Sequence, residues 1–196
     1  TELLKADPRK NIRAWVLGCS TGEEAYSLAM LLREAQDTIG LARQEVQIYA
    51  TDLNPEAIKV ARKGWYSASA TAHLSAPRRD RFFTPQNGGF LVQPEIRSMV
   101  MFAKHDVTTD PPFTQLDLLL CRNVLIYFNT TLQRRLIPLF HFSLRSGGLL
   151  LLGSAESIGR SQHLFSARAP KSRIFGRLEA TGAPIPVDFP VQRRPM

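Results

Sequence analysis

The sequence has few of the residues on which disulfide frameworks and metal sites depend. It contains only two cysteines, Cys19 and Cys121, in 196 residues, too few for a disulfide framework or for a thiolate metal site. None of its four histidines stands at ligand spacing from another histidine or from a cysteine, so no metal is predicted. We expect both cysteines to be small buried side chains in a reducing compartment.

Long apolar runs are also missing. The longest, Leu116–Cys121 and Leu149–Leu152, are far shorter than the roughly 20 residues that cross a bilayer as a helix. The chain opens without a charged and then apolar leader, and we predict a cytoplasmic protein. With 44% hydrophobic and 21% charged residues, the composition is that of a folded globular domain.

Acidic residues are in the minority. The sequence contains 17 Asp and Glu residues and 25 Lys and Arg residues, which gives a formal charge of +8. A positive charge of this size suits nucleic acid, an anionic membrane surface or a carboxylate-rich protein as a partner. The charge alone does not choose among these partners, and a solvated basic surface remains an equal alternative. The basic residues cluster at Arg78, Arg79 and Arg81, at Arg168, Lys171, Arg173 and Arg177, and at Arg193 and Arg194.

Short apolar runs alternate with segments of helical period, which predicts an α/β fold with a largely parallel sheet. We expect residues 1–11 to be a connector, residues 12–178 to form the domain, and residues 179–196, with four prolines, to be a flexible tail. The predicted strands are Ile12–Leu17, Val46–Ala50, Met99–Phe102, Leu116–Leu120, Leu149–Leu152 and a closing strand near Lys171–Gly176. The predicted helices are Glu23–Glu34, a helix capped by Asn54 and ended by Gly64, and Thr130–Leu144.

The segment of residues 78–97 interrupts this alternation. Two short apolar runs flank Pro85-Gln-Asn-Gly88, the pattern of a β-hairpin turn. We predict a small antiparallel β-insertion between the second and third strands of the main sheet.

The loop after the first strand carries the first functional signal. Gly18 and Gly22 allow a ligand to approach the backbone closely at the end of a strand. Glu23 and Glu24 follow them; these carboxylates would repel a phosphate but suit a cation. A capped strand-to-helix turn, with Thr21 and Glu24 as a capping box, is the equally weighted alternative.

Further polar residues follow the other predicted strands. Asp52 ends the second strand, where it could accept hydrogen bonds from ribose hydroxyls; an Asx-type turn is the weaker alternative, since Asn54 already serves as the cap. Asp106 and Val107 follow the third strand, and Arg122, Asn123 and Tyr127 follow the fourth. Residues 110–113, Asp-Pro-Pro-Phe, resemble the catalytic loop of amino-methylating nucleic-acid methyltransferases, but they precede a strand, so we interpret them as a rigid turn.

Three motifs together resemble the chemotaxis-receptor methyltransferases, the CheR family. They are Gly18-Cys-Ser-Thr-Gly-Glu-Glu24, Ala50-Thr-Asp52 and Cys121-Arg-Asn-Val-Leu-Ile-Tyr-Phe128. Gly147-Gly148 and Gly153-Ser-Ala-Glu-Ser157 also fit, and the likeness covers roughly residues 12–177. It is greatest to the form found within large hybrid sensor proteins. Two features differ from the family pattern: its N-terminal helical domain is missing from this chain, and Ala25 replaces a proline.

The resemblance implies a Rossmann-like methyltransferase domain that uses S-adenosylmethionine to esterify glutamate side chains of receptors. Under it, Glu23 or Glu24 would hold the methionine amino end, Asp52 the ribose, and Asp106 and Val107 the adenine. The β-insertion would correspond to the family's small β-subdomain, which in some members docks a receptor tail peptide by strand addition. The implied cofactor-binding residues are Gly18, Ser20, Thr21, Gly22, Glu23, Glu24, Asp52, Asp106, Val107, Arg122 and Asn123, and Arg122 and Tyr127 are the implied catalytic residues.

Two other functions remain open from the sequence. The basic charge favours a methyltransferase acting on nucleic acid or on a small molecule. A third possibility is a non-catalytic domain of a sensor protein that binds the cofactor or a partner.

Overall fold

The computed structural model describes residues 4–5, 10–41 and 44–179. Most of the predicted connector and nearly all of the predicted tail therefore lie outside the described residues. The strands form a seven-stranded sheet and a three-stranded sheet, with helices between them in sequence. The predicted α/β fold with a small antiparallel sheet is confirmed. The chain divides into two compact units, the first containing Cys19–Lys104 and the second containing Ile12–Gly18 and the described residues from His105 onward.

The first unit contributes two parallel strands and two longer helices. Strand β2 (Val46–Asp52) pairs with β6 (Val100–Lys104). Helix α1 (Glu23–Thr38) continues four residues beyond the predicted end at Glu34. Helix α2 (Pro55–Lys63) begins and ends as predicted, because Asn54 accepts hydrogen bonds from the first-turn N–H groups and Gly64 closes it with a left-handed φ of 64°.

The three-stranded sheet also belongs to the first unit. Its strands β3 (Trp65–Ser67), β4 (Phe83–Gln86) and β5 (Gly89–Val92) run antiparallel in the order β3-β5-β4. The predicted turn is confirmed, since Asn87 and Gly88 have positive φ values of 49° and 73°, as a type I′ hairpin requires. The sheet also includes β3, which precedes the predicted span.

Two short helices flank the hairpin. Helix α3 (Ala76–Phe82) contains Arg81, which the sequence pattern had placed in the hairpin's first strand, and α4 (Pro94–Arg97) follows β5. A proline in the first turn starts each helix, because its fixed φ is already helical.

The described residues of the second unit form five strands: β1 (Ile12–Leu17), β7 (Leu116–Cys121), β8 (Leu144–Leu152), β9 (Phe165–Ala169) and β10 (Ile174–Arg177). They lie in the order β1-β7-β8-β10-β9. Strands β1, β7 and β8 are parallel, and β10 is antiparallel to β8 and to β9. Strands β1 and β7 are mostly apolar, apart from Arg13 and Asp117, and almost entirely buried, as expected for strands covered on both faces.

The prediction of the β7–β8 connection was wrong in one respect, and one strand was missed. Helix α5 (Thr130–Ser143) ends one residue early and β8 begins at Leu144, five residues before the predicted start. Gly147 and Gly148 therefore lie inside a strand, near a register shift in the β7–β8 pairing, although the pair looks like a turn in the sequence. Strand β9 was not predicted.

Cys19 and Cys121 are both buried, and neither forms a disulfide bond with the other. Across the described ranges, no helix is long and apolar enough to cross a membrane. The same residues contain no group of three or more His, Cys, Asp or Glu side chains arranged to hold a metal ion.

Candidate functional site

In the first unit, Asp52 holds the loop that leads into α1. Its Oδ2 accepts a hydrogen bond from the Ser20 N–H at 2.8 Å, and the Cys19 N–H donates to the Thr51 carbonyl at 2.9 Å. Oδ1 of Asp52 accepts from the Asn54 N–H at 2.9 Å. The Asx-type turn that the sequence left as the weaker alternative is thus present, and the same carboxylate also fixes the loop. Asp52 remains half-exposed.

The alternative interpretation of this loop, in which Thr21 and Glu24 form a capping box at the start of α1, is wrong. Gly22 is the N-cap, with a left-handed φ of 97°, and no side chain caps the helix. The Thr21 hydroxyl lies 2.8 and 2.7 Å from the two carboxylate oxygens of Glu23. Glu23 and Glu24 occupy the first turn of α1, where the helix dipole favours negative charge.

Three carboxylates contribute a negative potential at this loop. The pKa of the Cys19 thiol is raised to about 12, first by burial and then by the charges of Asp52, Glu23 and Glu24. The pKa of the Tyr66 hydroxyl is also raised, by burial first and then by Glu23. A negative potential of this kind favours a cationic ligand and disfavours a phosphate.

Gly22 is required by close packing as well as by its backbone conformation. A Cβ at this position would lie 2.9 Å from the Ala61 Cβ and 3.1 Å from the ring of Phe102. The Tyr66 hydroxyl, 3.1 Å from the same point, donates a hydrogen bond to the Thr21 carbonyl at 2.8 Å. Sequence reasoning missed this role of Tyr66, which no local motif indicates.

In the second unit, the predicted adenine-binding residues lie in a tight turn after β6. Asp106 Oδ1 accepts from the Thr108 N–H at 2.8 Å and from its hydroxyl at 2.6 Å, and Asp110 accepts from the Asp106 N–H. Burial acts to raise the pKa of Asp106, but the bonds from Thr108 outweigh it and the pKa is lowered. Val107 is only 5% exposed.

Residues 110–113 form an irregular segment in the second unit, directly after the turn at residues 107–109. The Phe113 ring packs 5.3 Å from Trp15 and 5.5 Å from His105, measured between ring centroids. His105 Nε2 lies 3.0 Å from the Pro111 carbonyl oxygen. Phe113 thus packs inside the unit, as expected for a rigid turn rather than a catalytic loop.

The loop after β7 exposes the residues with implied catalytic roles. Arg122 and Asn123 are exposed, and Tyr127, in a 3₁₀ turn, is 80% exposed. Asn123 has a positive φ of 58°. The main chain that carries these side chains is held by Glu156, whose Oε1 accepts from the Val124 and Leu125 N–H groups at 2.8 and 2.7 Å.

Gly18 belongs to the second unit, where it follows β1. A Cβ on Gly18 would lie 2.3 Å from the Val124 Cγ2, so the β7 loop occupies the space that a side chain would need. The pairing of Leu17 with Cys121 places Gly18 and Arg122 at the same end of two neighbouring strands.

The predicted residues are thus divided between the two units. The first unit brings together Ser20, Thr21, Gly22, Glu23, Glu24 and Asp52; the second contains Gly18, Asp106, Val107, Arg122, Asn123 and Tyr127. Glu156, which the sequence reasoning included only as part of a motif, is the main addition. Two cavities of the first unit, of about 480 and 440 Å³, have none of the predicted residues among those that line them.

Comparison with known proteins gives one family and several relatives. The family model described as "CheR methyltransferase, SAM binding domain" matches residues 1–174. The chain is 40% identical over 174 residues to an uncharacterized 104.1 kDa protein of Rhodobacter capsulatus, covering 89% of this chain and 18% of that protein. It is 37% identical to the chemotaxis protein methyltransferase of Listeria monocytogenes and to chemotaxis protein methyltransferase 1 of Pseudomonas aeruginosa. These two matches cover 79% and 80% of this chain but only 57% and 59% of the relatives.

Proposed function

The chain belongs to the CheR methyltransferase family, and from this membership we propose that it transfers a methyl group from S-adenosylmethionine to glutamate side chains of chemotaxis receptors. The observation that carries the proposal is the loop held by Asp52, with Glu23 and Glu24 beside it. After burial, these carboxylates are the groups that raise the pKa of Cys19, and their negative potential suits the amino group and sulfonium of the cofactor.

The residues of the first unit fit the methionine and ribose ends of the cofactor. Glu23 or Glu24 would pair with the methionine ammonium group. Asp52 would accept hydrogen bonds from the ribose hydroxyls, because each of its oxygens has one described N–H donor and the residue stays half-exposed. Gly22 would serve this end of the site through its left-handed backbone, which turns the chain into α1 directly before Glu23.

In the second unit, we assign Asp106 and Val107 to the adenine and the β7 loop to the reacting methyl group. Asn123 and Gly18 would contact the cofactor through their exposed backbone. Arg122 and Tyr127, both exposed, would orient the receptor carboxylate.

The chemistry requires positioning more than proton transfer. A free glutamate titrates near pH 4.3, so the receptor carboxylate is already an ionised nucleophile at neutral pH. One carboxylate oxygen attacks the methyl carbon while the carbon–sulfur bond breaks, giving a methyl ester and a neutral thioether. When bound, the cofactor supplies the activated methyl group. In-line alignment and exclusion of water can lower such a barrier by roughly 7–11 kcal/mol, and Arg122 and Tyr127 would provide the alignment.

We also propose that the three-stranded sheet docks a receptor tail peptide by strand addition. Both β3 and β4 are edge strands. Pro85 removes a hydrogen-bond donor from β4, which makes that edge a poor template, so β3 is the edge we assign to the peptide.

The proposal is tested first by titrating the 196-residue chain with S-adenosylhomocysteine in a calorimeter. It is then tested by incubation with methyl-labelled S-adenosylmethionine and the cytoplasmic fragment of a chemotaxis receptor. We expect binding and base-labile label on the fragment. Absence of binding would overturn the assignment of the cofactor. Binding without methyl esters on any receptor fragment would favour a non-catalytic domain, and label on nucleic acid would favour that substrate.

A further inference from the structure

Glu156 is a buried carboxylate surrounded by main-chain donors. It is 4% exposed, and glutamate is rarely buried unless its charge is satisfied. Its Oε1 accepts the N–H groups of Val124 and Leu125 at 2.8 and 2.7 Å, and its Oε2 accepts the Gly153 N–H at 2.6 Å. All three donors are backbone groups, so the side chain stabilises a backbone conformation.

The donors come from two loops that follow neighbouring parallel strands. Val124 and Leu125 belong to the loop after β7, and Gly153 directly follows β8. One carboxylate therefore ties the β7 loop to the end of β8. The side chain of Tyr127 is 80% exposed, so its own packing cannot fix its position, and the main chain that bears it must be held from elsewhere.

The fit around Glu156 is close on every side. A Cβ on Gly153 would lie 2.7 Å from the Glu156 Oε2 and 2.8 Å from the Asn123 Oδ1. Val124 fills the space beside Gly18. Asn123 takes a left-handed φ, which asparagine tolerates better than most residues. A carboxylate set back by one methylene, or an amide NH₂ facing these N–H groups, would not satisfy the same donors.

We propose that Glu156 is a positioning residue that fixes the segment from Arg122 to Tyr127 and thereby sets the turnover of methyl transfer. This inference rests on the proposed function. It assigns Glu156 no contact with cofactor or substrate, because its carboxylate is buried and its described donors are backbone groups. The expected consequence is a loss in kcat that exceeds any loss in cofactor affinity, since a small misplacement of orienting groups weakens the transition state most.

The test compares Glu156→Gln with a matched change at the other end of β7. Asp117 is a 1% exposed carboxylate that accepts the Arg13 N–H at 2.9 Å and pairs with Arg145. Both Glu156→Gln and Asp117→Asn remove a buried charge from the same unit. We expect Glu156→Gln to lower kcat about 100-fold while the Kd for S-adenosylhomocysteine changes less than about 3-fold. Asp117→Asn should lower the melting temperature without that loss in kcat.

A spectroscopic measurement keeps the inference testable without turnover. In ¹⁵N-labelled full chain, the amide protons of Val124 and Leu125 should resonate downfield and be protected from exchange, as amides bonded to a carboxylate are. Glu156→Gln turns one of the two acceptor oxygens into an NH₂ group, so either the Gly153 signal or the Val124 and Leu125 signals should move upfield and exchange at least about tenfold faster. Glu156→Asp should give a partial effect.

The outcomes separate this inference from the proposed function. Wild-type turnover in Glu156→Gln would overturn the inference, and so would an equal kcat loss in Asp117→Asn. Unchanged amide signals in Glu156→Gln would overturn it as well. If the wild-type chain itself forms no methyl ester, the proposed function fails and the effect on turnover fails with it, while the amide signals still decide whether Glu156 holds the segment.

Discussion

Two loops of this chain are each held by one carboxylate that accepts backbone N–H groups, and they differ mainly in burial. Asp52 accepts one N–H on each oxygen and stays half-exposed. Glu156 accepts three N–H groups and is 4% exposed. The same chemistry therefore has two consequences: the exposed carboxylate can fix its loop and still accept a ligand, whereas the buried one can only fix its loop.

The largest effect should come from removing the exposed carboxylate. Asp52→Ala is expected to weaken binding of S-adenosylhomocysteine about 100-fold, because hydrogen bonds to a charged group are worth about 1.5–3 kcal/mol and 1.4 kcal/mol is tenfold in affinity. Calorimetric titration measures it. Asn54→Ala is the matched control: it removes the N-cap of α2 and should cost about 1 kcal/mol of stability without a comparable loss of affinity. If Asp52→Ala bound S-adenosylhomocysteine as tightly as the wild type does, Asp52 would not be a ligand-binding carboxylate.

The next effect concerns the loop held by the buried carboxylate. Tyr127→Phe removes only a hydroxyl from a side chain that is 80% exposed, so stability should not change. We expect kcat for methyl-ester formation to fall about tenfold, the value of one hydrogen bond made in the transition state. Affinity for S-adenosylhomocysteine should stay the same. Unchanged turnover would remove Tyr127 from the proposed site.

A smaller effect should come from the backbone strain that both loops share. Ser20 and Asn123 have positive φ values of 48° and 58°, which cost a residue with a Cβ roughly 1–2 kcal/mol. In urea unfolding, Asn123→Ala should lose about 1 kcal/mol relative to Asn123→Gly. Ser20→Gly should match or exceed the stability of the wild type. If Asn123→Gly were less stable than Asn123→Ala, the positive φ would not be what determines the effect of substitutions at this position on stability.

The smallest effect concerns a buried base of the second unit. Burial lowers the pKa of His141 below the ordinary value of about 6.5. The charges of Arg177 and His163 lower it further, and the hydrogen bond with the Leu178 carbonyl opposes them. As the pH falls, His141 is therefore protonated in the unfolded chain before it is protonated in the folded chain. The contribution of His141 to stability is complete above about pH 6.5 and is lost as the pH falls from there through the folded pKa.

His141→Gln keeps an amide that can donate to the Leu178 carbonyl but does not titrate. Its melting temperature should therefore fall less than that of the wild type between about pH 7 and pH 5, by a few degrees at most. Parallel curves for the two proteins would exclude His141 as the titrating group.

The parts of the fold that the sequence predicted are those with strong local signals. Mostly apolar runs predicted β1 and β7, and Asn54 and Gly64 predicted the ends of α2. The predicted hairpin turn has the positive φ at Asn87 that a type I′ turn requires. The errors arose where local signals are ambiguous. Gly147 and Gly148 look like a turn but lie within β8, and β9 is an edge strand with exposed polar residues.

The candidate site shows the same limit. Asp52 was predicted as a ribose-binding residue because an acidic side chain at the end of such a strand is placed to accept hydrogen bonds from ribose hydroxyls. Nothing in the sequence was a reason to assign a role to Glu156, because its partners are backbone N–H groups up to 32 residues away in the chain. Every residue type except proline has a backbone N–H, so the amino-acid sequence does not reveal such a donor. A lone glutamate among small residues after a buried strand is the signal that could have indicated it.

The basic cluster on α3 has a practical consequence for handling the protein. Arg78 makes two bonds of 2.8 and 2.7 Å to Glu34, Arg81 pairs with Asp37, and the guanidinium of Arg79 lies 5.2 Å from the centre of the Phe90 ring. Two of the three charges are already neutralised within the first unit. On a heparin or cation-exchange column, the cluster should therefore add less to retention than three unpaired arginines would, and replacing Glu34 by Gln and Asp37 by Asn should delay the elution of the protein.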